Sequence, residues 1–268
     1  MRRVMFSTAV VSVALFAAAL AGQSRDQTAT SSDCAERGRS NREVYCDVRE
    51  ATLSGANPLD VDTGGNGGIT VRGWDRGDVH MRARIVAHAD TEAEARRIAS
   101  SVRVDTAGGS IRVEGPRNDR DSNWSVNVEL QVPRNLILTL NTRNGGISIT
   151  DFSGQAKLQT TNGGVTLNSV NGDIRGVTRN GGLTINLTGD HWDGTGLDIE
   201  TRNGGINMTM PAHYSAALET GTVNGRISID FPVTVQGRIG RELTTTLGSG
   251  GARLRAMTTN GGITIRQR

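Results

Sequence analysis

The sequence predicts an all-β protein, a single-stranded parallel β-solenoid with right-handed winding and one short helix in its N-terminal part. Three observations lead to this fold. An Asn-Gly-Gly turn recurs through the chain, apolar residues alternate on both sides of each turn, and roughly twenty residues separate most successive turns. The crossover rule for parallel strands favours right-handed winding. A meander of antiparallel hairpins joined by tight Asn-Gly turns is the alternative fold.

Each turn changes the phase of the apolar pattern. A threonine lies two positions before the turn Asn in six of six aligned copies, which are Asn144, Asn162, Asn180, Asn203, Asn224 and Asn260. Apolar residues lie at even offsets from this Asn before the turn and at odd offsets after it. Because neighbouring strand residues point to opposite faces, the change predicts a corner whose two strands face one interior. The Thr and Asn side chains are expected inside the corner, and the glycines are expected to supply backbone dihedrals that other residues resist.

Five complete triplets in the second half of the chain are the predicted structural turns, and a sixth triplet begins at Asn66. The five are Asn144, Gly145, Gly146, then Asn162, Gly163, Gly164, then Asn180, Gly181, Gly182, then Asn203, Gly204, Gly205, and Asn260, Gly261, Gly262. Successive aligned Asn residues are 18, 18, 23, 21 and 36 positions apart. The last gap predicts two coils with one degenerate corner. Six or seven coils would form a column roughly 30 Å tall.

The first residues predict export. Residues 1–21 combine two arginines, an apolar run and a small-x-small end, the pattern of a cleaved secretory signal peptide. The mature protein is then expected in the periplasm, on the cell surface or secreted, without a membrane span; a retained N-terminal anchor is the alternative. Cleavage removes two arginines and no acid, so the formal net charge falls from +3 to 3 − 2 = +1. This balance gives no support for a nucleic-acid partner.

The mature chain divides into three further regions by composition. Residues 22–50 are polar and aperiodic, which predicts a flexible leader. Cys34 and Cys46 are the only cysteines, and an even count in an exported protein favours a disulfide between them, worth about 3 kcal/mol in the chain-entropy model. An N-terminal β region over 51–135 begins the repeat domain, and solenoid repeats occupy 136–268.

One helix is predicted, over residues 91–102. Thr91 and Glu94 have the spacing of a capping box at the start of this segment. Four apolar residues fall on one helical face, namely Ala95, Ile98, Ala99 and Val102. The helix is therefore expected to pack on strands as a lid or spacer and to carry no chemistry.

Several stretches together resemble a known family. They are TEAEARRIASSVRVD, the strand VNVELQVP, and the serial Asn-Gly-Gly corners that each precede two alternating apolar residues. This combination resembles the bacterial putative-adhesin family of β-strand-repeat envelope proteins, also called toast-rack domains. The resemblance covers about residues 51–268 and leaves out the cysteine-bearing leader. It implies a β-solenoid-like domain in the cell envelope and brings no catalytic residues.

No catalytic, cofactor-binding or metal residues are predicted. Glycine-rich phosphate loops lead into a helix, whereas Asn-Gly-Gly leads into a strand each time. The turn aspartates Asp173 and Asp190 do not recur at one offset, as a repeated calcium cage would require. The four histidines lack the spacing of a zinc site.

Two features leave a carbohydrate-active enzyme as an alternative. His191, Trp192 and Asp193 lie in a longer insertion between two corners, where we expect a turn whose Trp192 covers the side of the coil. Asp198 and Glu200 share one outward face, and paired carboxylates hydrolyse glycosides. Most other outward positions are Thr, Ser, Asn, Gln or Arg, so a solvated face is the expected role of this pair.

Arg143, Arg179 and Arg202 each lie immediately before a corner Asn and are expected to point outward. Stacked corners would align them along an edge able to bind anions, interrupted by Thr161, or serving only solubility. The predicted function is a non-enzymatic structural or adhesin-like interaction module of the envelope; an envelope-stress sensor or scaffold is a further alternative. A cell-surface glycan or envelope protein is the expected partner, self-association stays open, and no cofactor is expected.

Overall fold

Two ten-stranded β-sheets enclose one apolar core in the computed structural model, which describes residues 42–231 and 240–268. Strands are numbered along the chain. Sheet A contains, in spatial order, β1 (Glu43–Ser54), β4 (Asp78–Ala89), β7 (Asn123–Pro133), β3 (Gly67–Trp74), β9 (Ile147–Phe152), β11 (Val165–Val170), β13 (Leu183–Asn186), β15 (Ile206–Met210), β20 (Ile263–Gln267) and β17 (Ile227–Ile229). Sheet B contains β18 (Glu242–Leu247), β16 (Ala216–Asn224), β19 (Arg253–Asn260), β14 (Gly196–Asn203), β12 (Asp173–Asn180), β10 (Gln155–Asn162), β8 (Ile137–Asn144), β2 (Leu59–Asp62), β6 (Ser110–Glu114) and β5 (Arg103–Asp105).

The parallel solenoid is confirmed. Each coil runs along a strand of sheet B, turns at an Asn-Gly corner and returns along a strand of sheet A. Four coils follow one another both in sequence and in space: β8–β9, β10–β11, β12–β13 and β14–β15. We call them the central stack. Their register places like on like, so that Asn162 of β10 lies between Asn144 and Asn180.

A second bend closes the coil at the end of the sheet A strand. In β9 and β11 the residues at this bend, Asp151 and Ser169, have left-handed φ angles of 57° and 51°. The bend shifts the alternation by one residue. Phe152 and Val170 therefore enter the core, whereas strict alternation along the strand would place them outside. Buried Ile, Leu, Val and Met side chains therefore line both sheets of the central stack.

The C-terminal end of the column departs from sequence order, and the prediction for the 36-residue gap is wrong. The last coil, β19–β20, lies between β14–β15 and the earlier coil β16–β17. Instead of a further coil with a degenerate corner, the described residues of the gap form β17 and an edge strand, β18, which pairs antiparallel with β16. Spacing along the chain cannot reveal this order, because chemically equivalent corners allow any coil to stack on any other.

The N-terminal end is likewise out of order. The coil β2–β3 contacts β8–β9, and β6–β7 stacks outside it. Beyond β7, sheet A becomes antiparallel through β4 and β1. The flexible leader predicted to residue 50 is wrong at its end, because β1 begins at Glu43 and pairs with β4 along its whole length. That long-range pairing leaves no signal in local composition.

The predicted helix is confirmed as α1 (Glu92–Ser101), which packs on β1 and β4. Thr91 is the N-cap, and its hydroxyl accepts a hydrogen bond from the Glu94 amide at 3.3 Å. At the other end, the Arg49 guanidinium of β1 donates to the carbonyl oxygens of Val102 at 2.6 Å and Ala99 at 3.1 Å. The helix has no basic residue in its last turn, so Arg49 supplies the cation that favours a helix C-terminus.

Candidate functional site: corners and outer faces

A buried row of threonines ties each corner to the coil beside it. The Thr hydroxyl donates to the carbonyl oxygen of the first corner glycine of the neighbouring coil, as Thr178 does to Gly163 at 2.8 Å. Thr142, Thr160, Thr201, Thr222 and Thr258 make the equivalent bond at 2.6–2.9 Å. All six threonines are buried. The inward position predicted for Thr therefore agrees with the structure.

The corner asparagines lie outside, which corrects the prediction that they line the interior. Each Asn Nδ2 donates to the Oδ1 of the Asn in the adjacent coil at 2.7–2.8 Å, in the order Asn66, Asn144, Asn162, Asn180, Asn203, Asn260 and Asn224. These six bonds join seven side chains, of which Asn66 is half-buried and the other six are exposed. The error arises because the chain already turns at the Asn, so strand parity no longer applies to it.

The corner glycines also serve a different purpose from the one predicted. None of the five predicted triplets contains a glycine with a left-handed φ. A Cβ on the first glycine, Gly163, would lie 1.9 Å from the carbonyl oxygen of Gly145 in the next coil, whereas a Cβ on Gly164 would meet its nearest atom at 3.0 Å. Close stacking therefore demands the first glycine. The second is replaced by Arg226 in the corner of β16–β17.

The three predicted arginines project from the outer face of sheet B beside the corner. Arg143 lies on β8, Arg179 on β12 and Arg202 on β14, and Thr161 occupies the matching place on β10. All three guanidinium groups are exposed, and none has an acidic partner among the described residues. Strands in a sheet are about 4.8 Å apart. The three therefore form an unneutralised cationic edge along the stacking direction, which we call the arginine row.

The two acids on β14 form ion pairs with an arginine that the sequence analysis did not identify. Arg255, on the adjacent β19, contacts Asp198 through Nη1 at 2.7 Å and also contacts Glu200 and Glu219. Burial lowers the pKa of Arg255, but the hydrogen bonds to Glu200 and Asp198 raise it above its ordinary value. Both carboxylates thus share one guanidinium as their ion-pair partner. The signal was hidden because β19 reaches β14 only through the non-sequential stacking.

The insertion between β13 and β14 presents a hydrogen-bonded histidine. Asp190 contacts His191 Nδ1 at 2.6 Å, and Asp193 contacts Nε2 at 2.8 Å. These hydrogen bonds raise the pKa of His191, and the bond to Asp190 has the largest effect. Trp192 is buried against the coil, and its indole donates to the Gly172 carbonyl at 3.0 Å. The tryptophan therefore covers the side of the coil, and the exposed cluster lies outside it.

The remaining predicted sites are placed as follows. Cys46 lies on β1 and is not a free thiol; Cys34 lies outside the described residues, so its pairing with Cys46 stays a prediction, as does the signal peptide over 1–21. Within residues 42–231 and 240–268, no group of three or more His, Cys, Asp or Glu is arranged to hold a metal ion. No helix in the described part of the chain is long and apolar enough to cross a membrane.

Comparison with known proteins identifies a family. A crystal structure of a putative cell adhesion protein from Clostridium sporogenes has a TM-score of 0.45 and 8% identity, over 84% of this chain and 100% of that one. A putative adhesin from Bacteroides fragilis has a TM-score of 0.43 and 11% identity, over 84% of this chain and 97% of that one. No curated protein matches the chain. The family model described as Toastrack DUF4097 matches residues 75–266, so the chain belongs to the Toastrack family, as its resemblance to toast-rack domains implied.

Proposed function

We propose that the protein is exported and acts as a non-enzymatic, adhesin-like interaction module of the cell envelope, with the arginine row as its contact for an acidic polysaccharide. The observation that carries the proposal is the strand register, which aligns three exposed arginines without acidic partners among the described residues. Arginine binds carboxylates through paired hydrogen bonds, and a preorganised row reduces the ordering cost of binding a polymer.

Neighbouring cations extend the row across the same face. Lys157 of β10 and Arg175 of β12 are register partners and both are exposed. One acid, Asp173, contacts Arg175 at 3.1 Å. The outer face of β8, β10 and β12 therefore carries excess positive charge, to which a polyanion would bind in a salt-dependent manner.

The geometry of the acid pair supports a role without catalysis. A hydrolase needs one protonated carboxyl group and one free carboxylate at the scissile bond. Here one guanidinium, that of Arg255, contacts both Asp198 and Glu200 and so occupies the carboxylate oxygens that a sugar would have to reach. An interaction surface therefore explains this face better than a cleavage site.

The test is binding of the full chain to polygalacturonate, an acidic polysaccharide, measured by calorimetry at low and moderate salt. The triple variant Arg143→Gln, Arg179→Gln and Arg202→Gln should bind at least about tenfold more weakly, because each lost ionic contact costs on the order of 1 kcal/mol. The matched control changes Arg103, Arg117 and Arg120 to Gln, which removes the same charge at the N-terminal end. Equal loss in both triples, or release of shortened product by the wild type, would refute the proposal.

A further inference from the structure

The outer face of sheet A carries uncharged polar side chains on every coil of the central stack, unlike the arginine row on sheet B. The first outward position of its four strands is occupied by Ser148, Thr166, Thr184 and Asn207. The second is occupied by Thr150, Asn168, Asn186 and Thr209. We call these eight residues the polar array. It contains no charged side chain, and its register is fixed by the strand pairing of the stack.

The polar array presents free hydrogen-bonding groups at regular spacing. Only Asn186 and Asn168 bond to each other, at 2.6 Å. The side chains of the other six make no hydrogen bond within the described part of the chain. Neighbouring strands are about 4.8 Å apart, and alternate residues of a strand about 6.7 Å apart. Because threonine has few rotamers, the face pays little conformational entropy when it binds a partner.

A cavity continues the polar array at its N-terminal end. Thr70 of β3 pairs with Ser148 of β9 and lines a cavity of about 500 Å³ on the same face. His80, Glu129 and Gln131 also line it. Its volume lies within the range of small-ligand sites. Hydroxyl, amide and carboxylate groups are the hydrogen-bonding partners that sugar hydroxyls require. The cavity is a depression beside the flat polar array, in which a chain end or branch could bind.

Charge is balanced over the cavity and the ion pairs beside it. Arg82 contacts Glu50 at 3.4 Å and Glu129 at 3.8 Å. Arg72 is the second arginine that lines the cavity, and the two cations equal in number Glu129, which lines it, and Glu50, which lies beside it as a partner of Arg82. A face without net charge does not select an anion, and a regular array of weak donors and acceptors gains affinity only when many contacts form together.

We propose that the outer face of sheet A binds a neutral, regularly repeating polysaccharide that lies along the stacking direction, over the polar array and into the adjoining cavity. The uncharged surface selects a neutral partner, and the fixed spacing selects a repeating one. This site is independent of the arginine row, which lies on the opposite sheet, so the two can fail separately.

The experiment measures retention of the full-length protein on microcrystalline cellulose and on chitin powder. The double variant Thr166→Lys, Thr184→Lys places two solvated charges in the middle of the polar array and should lower retention at least tenfold. Thr166→Val, Thr184→Val keeps the branched shape and removes two hydroxyls, and should also weaken retention severalfold. The control Gln155→Lys, Gln159→Lys adds the same charge on the outer face of sheet B and should bind as the wild type does.

Four outcomes would overturn the inference. They are the absence of wild-type retention on both solids, retention by the valine variant equal to the wild type, arrest of ice growth without polysaccharide binding, and a wild-type dimer that the lysine variant dissociates without any polysaccharide binding. The last two would assign the face to frozen water or to a second copy of the chain. Circular dichroism of each variant confirms that the sheets remain intact.

Discussion

The central stack and the two ends of the column are held together by different kinds of interaction. In the stack, each coil repeats the same corner bonds to its neighbour, as Thr178 and Asn180 do on β12. At the ends, strands turn antiparallel, a helix packs on sheet A, and single contacts such as that of Arg49 act only once. The stack is therefore stabilised by repetition, whereas the ends add individual long-range contacts to the corner bonds that β2–β3, β19–β20 and β16–β17 also make.

This difference shows what covers the open edges of a solenoid. A stack of parallel coils leaves unpaired backbone groups at both ends, which invites association with other chains. Here the outermost coils, β6–β7 and β16–β17, are both out of sequence order and both carry an antiparallel strand, β5 on β6 and β18 on β16. In sheet B each end therefore finishes in a strand that does not repeat the corner pattern and so does not template another coil, whereas the outermost described strand of sheet A at the C-terminal end is β17, which follows a corner.

The largest effect is expected at the first glycine of a stack corner. Gly145→Ala would place a Cβ 1.9 Å from the carbonyl oxygen of Gly67, a contact that the stacked backbones cannot relieve without separating. We expect the free energy of unfolding to fall by about 3 kcal/mol. Gly146→Ala, whose Cβ would lie 3.3 Å from Gly164, is the matched control and should cost much less. Urea unfolding of both variants checks this, and equal midpoints would contradict a close-approach role.

Much of the stack was predictable because the interactions that form it repeat. The Thr-x-Asn-Gly pattern and the phase change revealed the corner, its buried threonine and the outward direction of Arg143 and Arg179. The outward direction of the corner Asn side chains was not predicted, because the alternation of a strand ends where the backbone turns. The need for the first glycine was assigned to dihedrals, whereas the cause is a carbonyl in the next coil, which no local pattern contains.

The ends and the charged network were not predictable for a related reason. Pairing of Arg255 with Asp198 and Glu200 joins residues more than fifty positions apart, and it depends on β19 lying between β14 and β16. Equivalent corners make every stacking order chemically acceptable at the level of single coils.

A single contact at the N-terminal end should give the next largest effect. Arg49→Ala removes two hydrogen bonds to the C-terminal carbonyl groups of α1 and should lower the free energy of unfolding by about 2 kcal/mol. Arg97→Ala is the control, because Arg97 is exposed and its pair with Glu94 spans 3.4 Å, so its loss should cost less than about 1 kcal/mol. Hydrogen exchange of the α1 amides would locate the loss; protection unchanged by Arg49→Ala would show that the helix does not depend on β1.

The two sides of a stack corner should differ more modestly. Thr178→Val keeps the buried shape but leaves the Gly163 carbonyl without its hydroxyl donor, which should cost about 1 kcal/mol. Asn180→Ala removes two exposed side-chain hydrogen bonds, one to Asn162 and one from Asn203. Water can replace both, so the free energy of unfolding should change by less than about 0.5 kcal/mol. A larger loss for Asn180→Ala in thermal unfolding would place the main tie between coils on the outside of the corner.

The smallest effect is expected where the stack is interrupted by the insertion that contains His191. The hydrogen bond to Asp190 raises the pKa of His191 from an ordinary 6.5. The contribution of the protonated histidine to folding stability is therefore complete below pH 6.5 and is lost as pH rises through the raised pKa. The pKa of Asp190 is lowered from 3.8 by the same bond, so its contribution is lost as pH falls through the lowered value. Wild type should therefore exceed His191→Gln in stability most between pH 3.8 and 6.5, and by less at pH 9. Urea midpoints at pH 5 and 9 test this, with His213→Gln as an exposed control outside the cluster; a difference that grows at high pH would show that the histidine acts as a neutral base. Because all three side chains are exposed, the change should stay well below that of any stack corner.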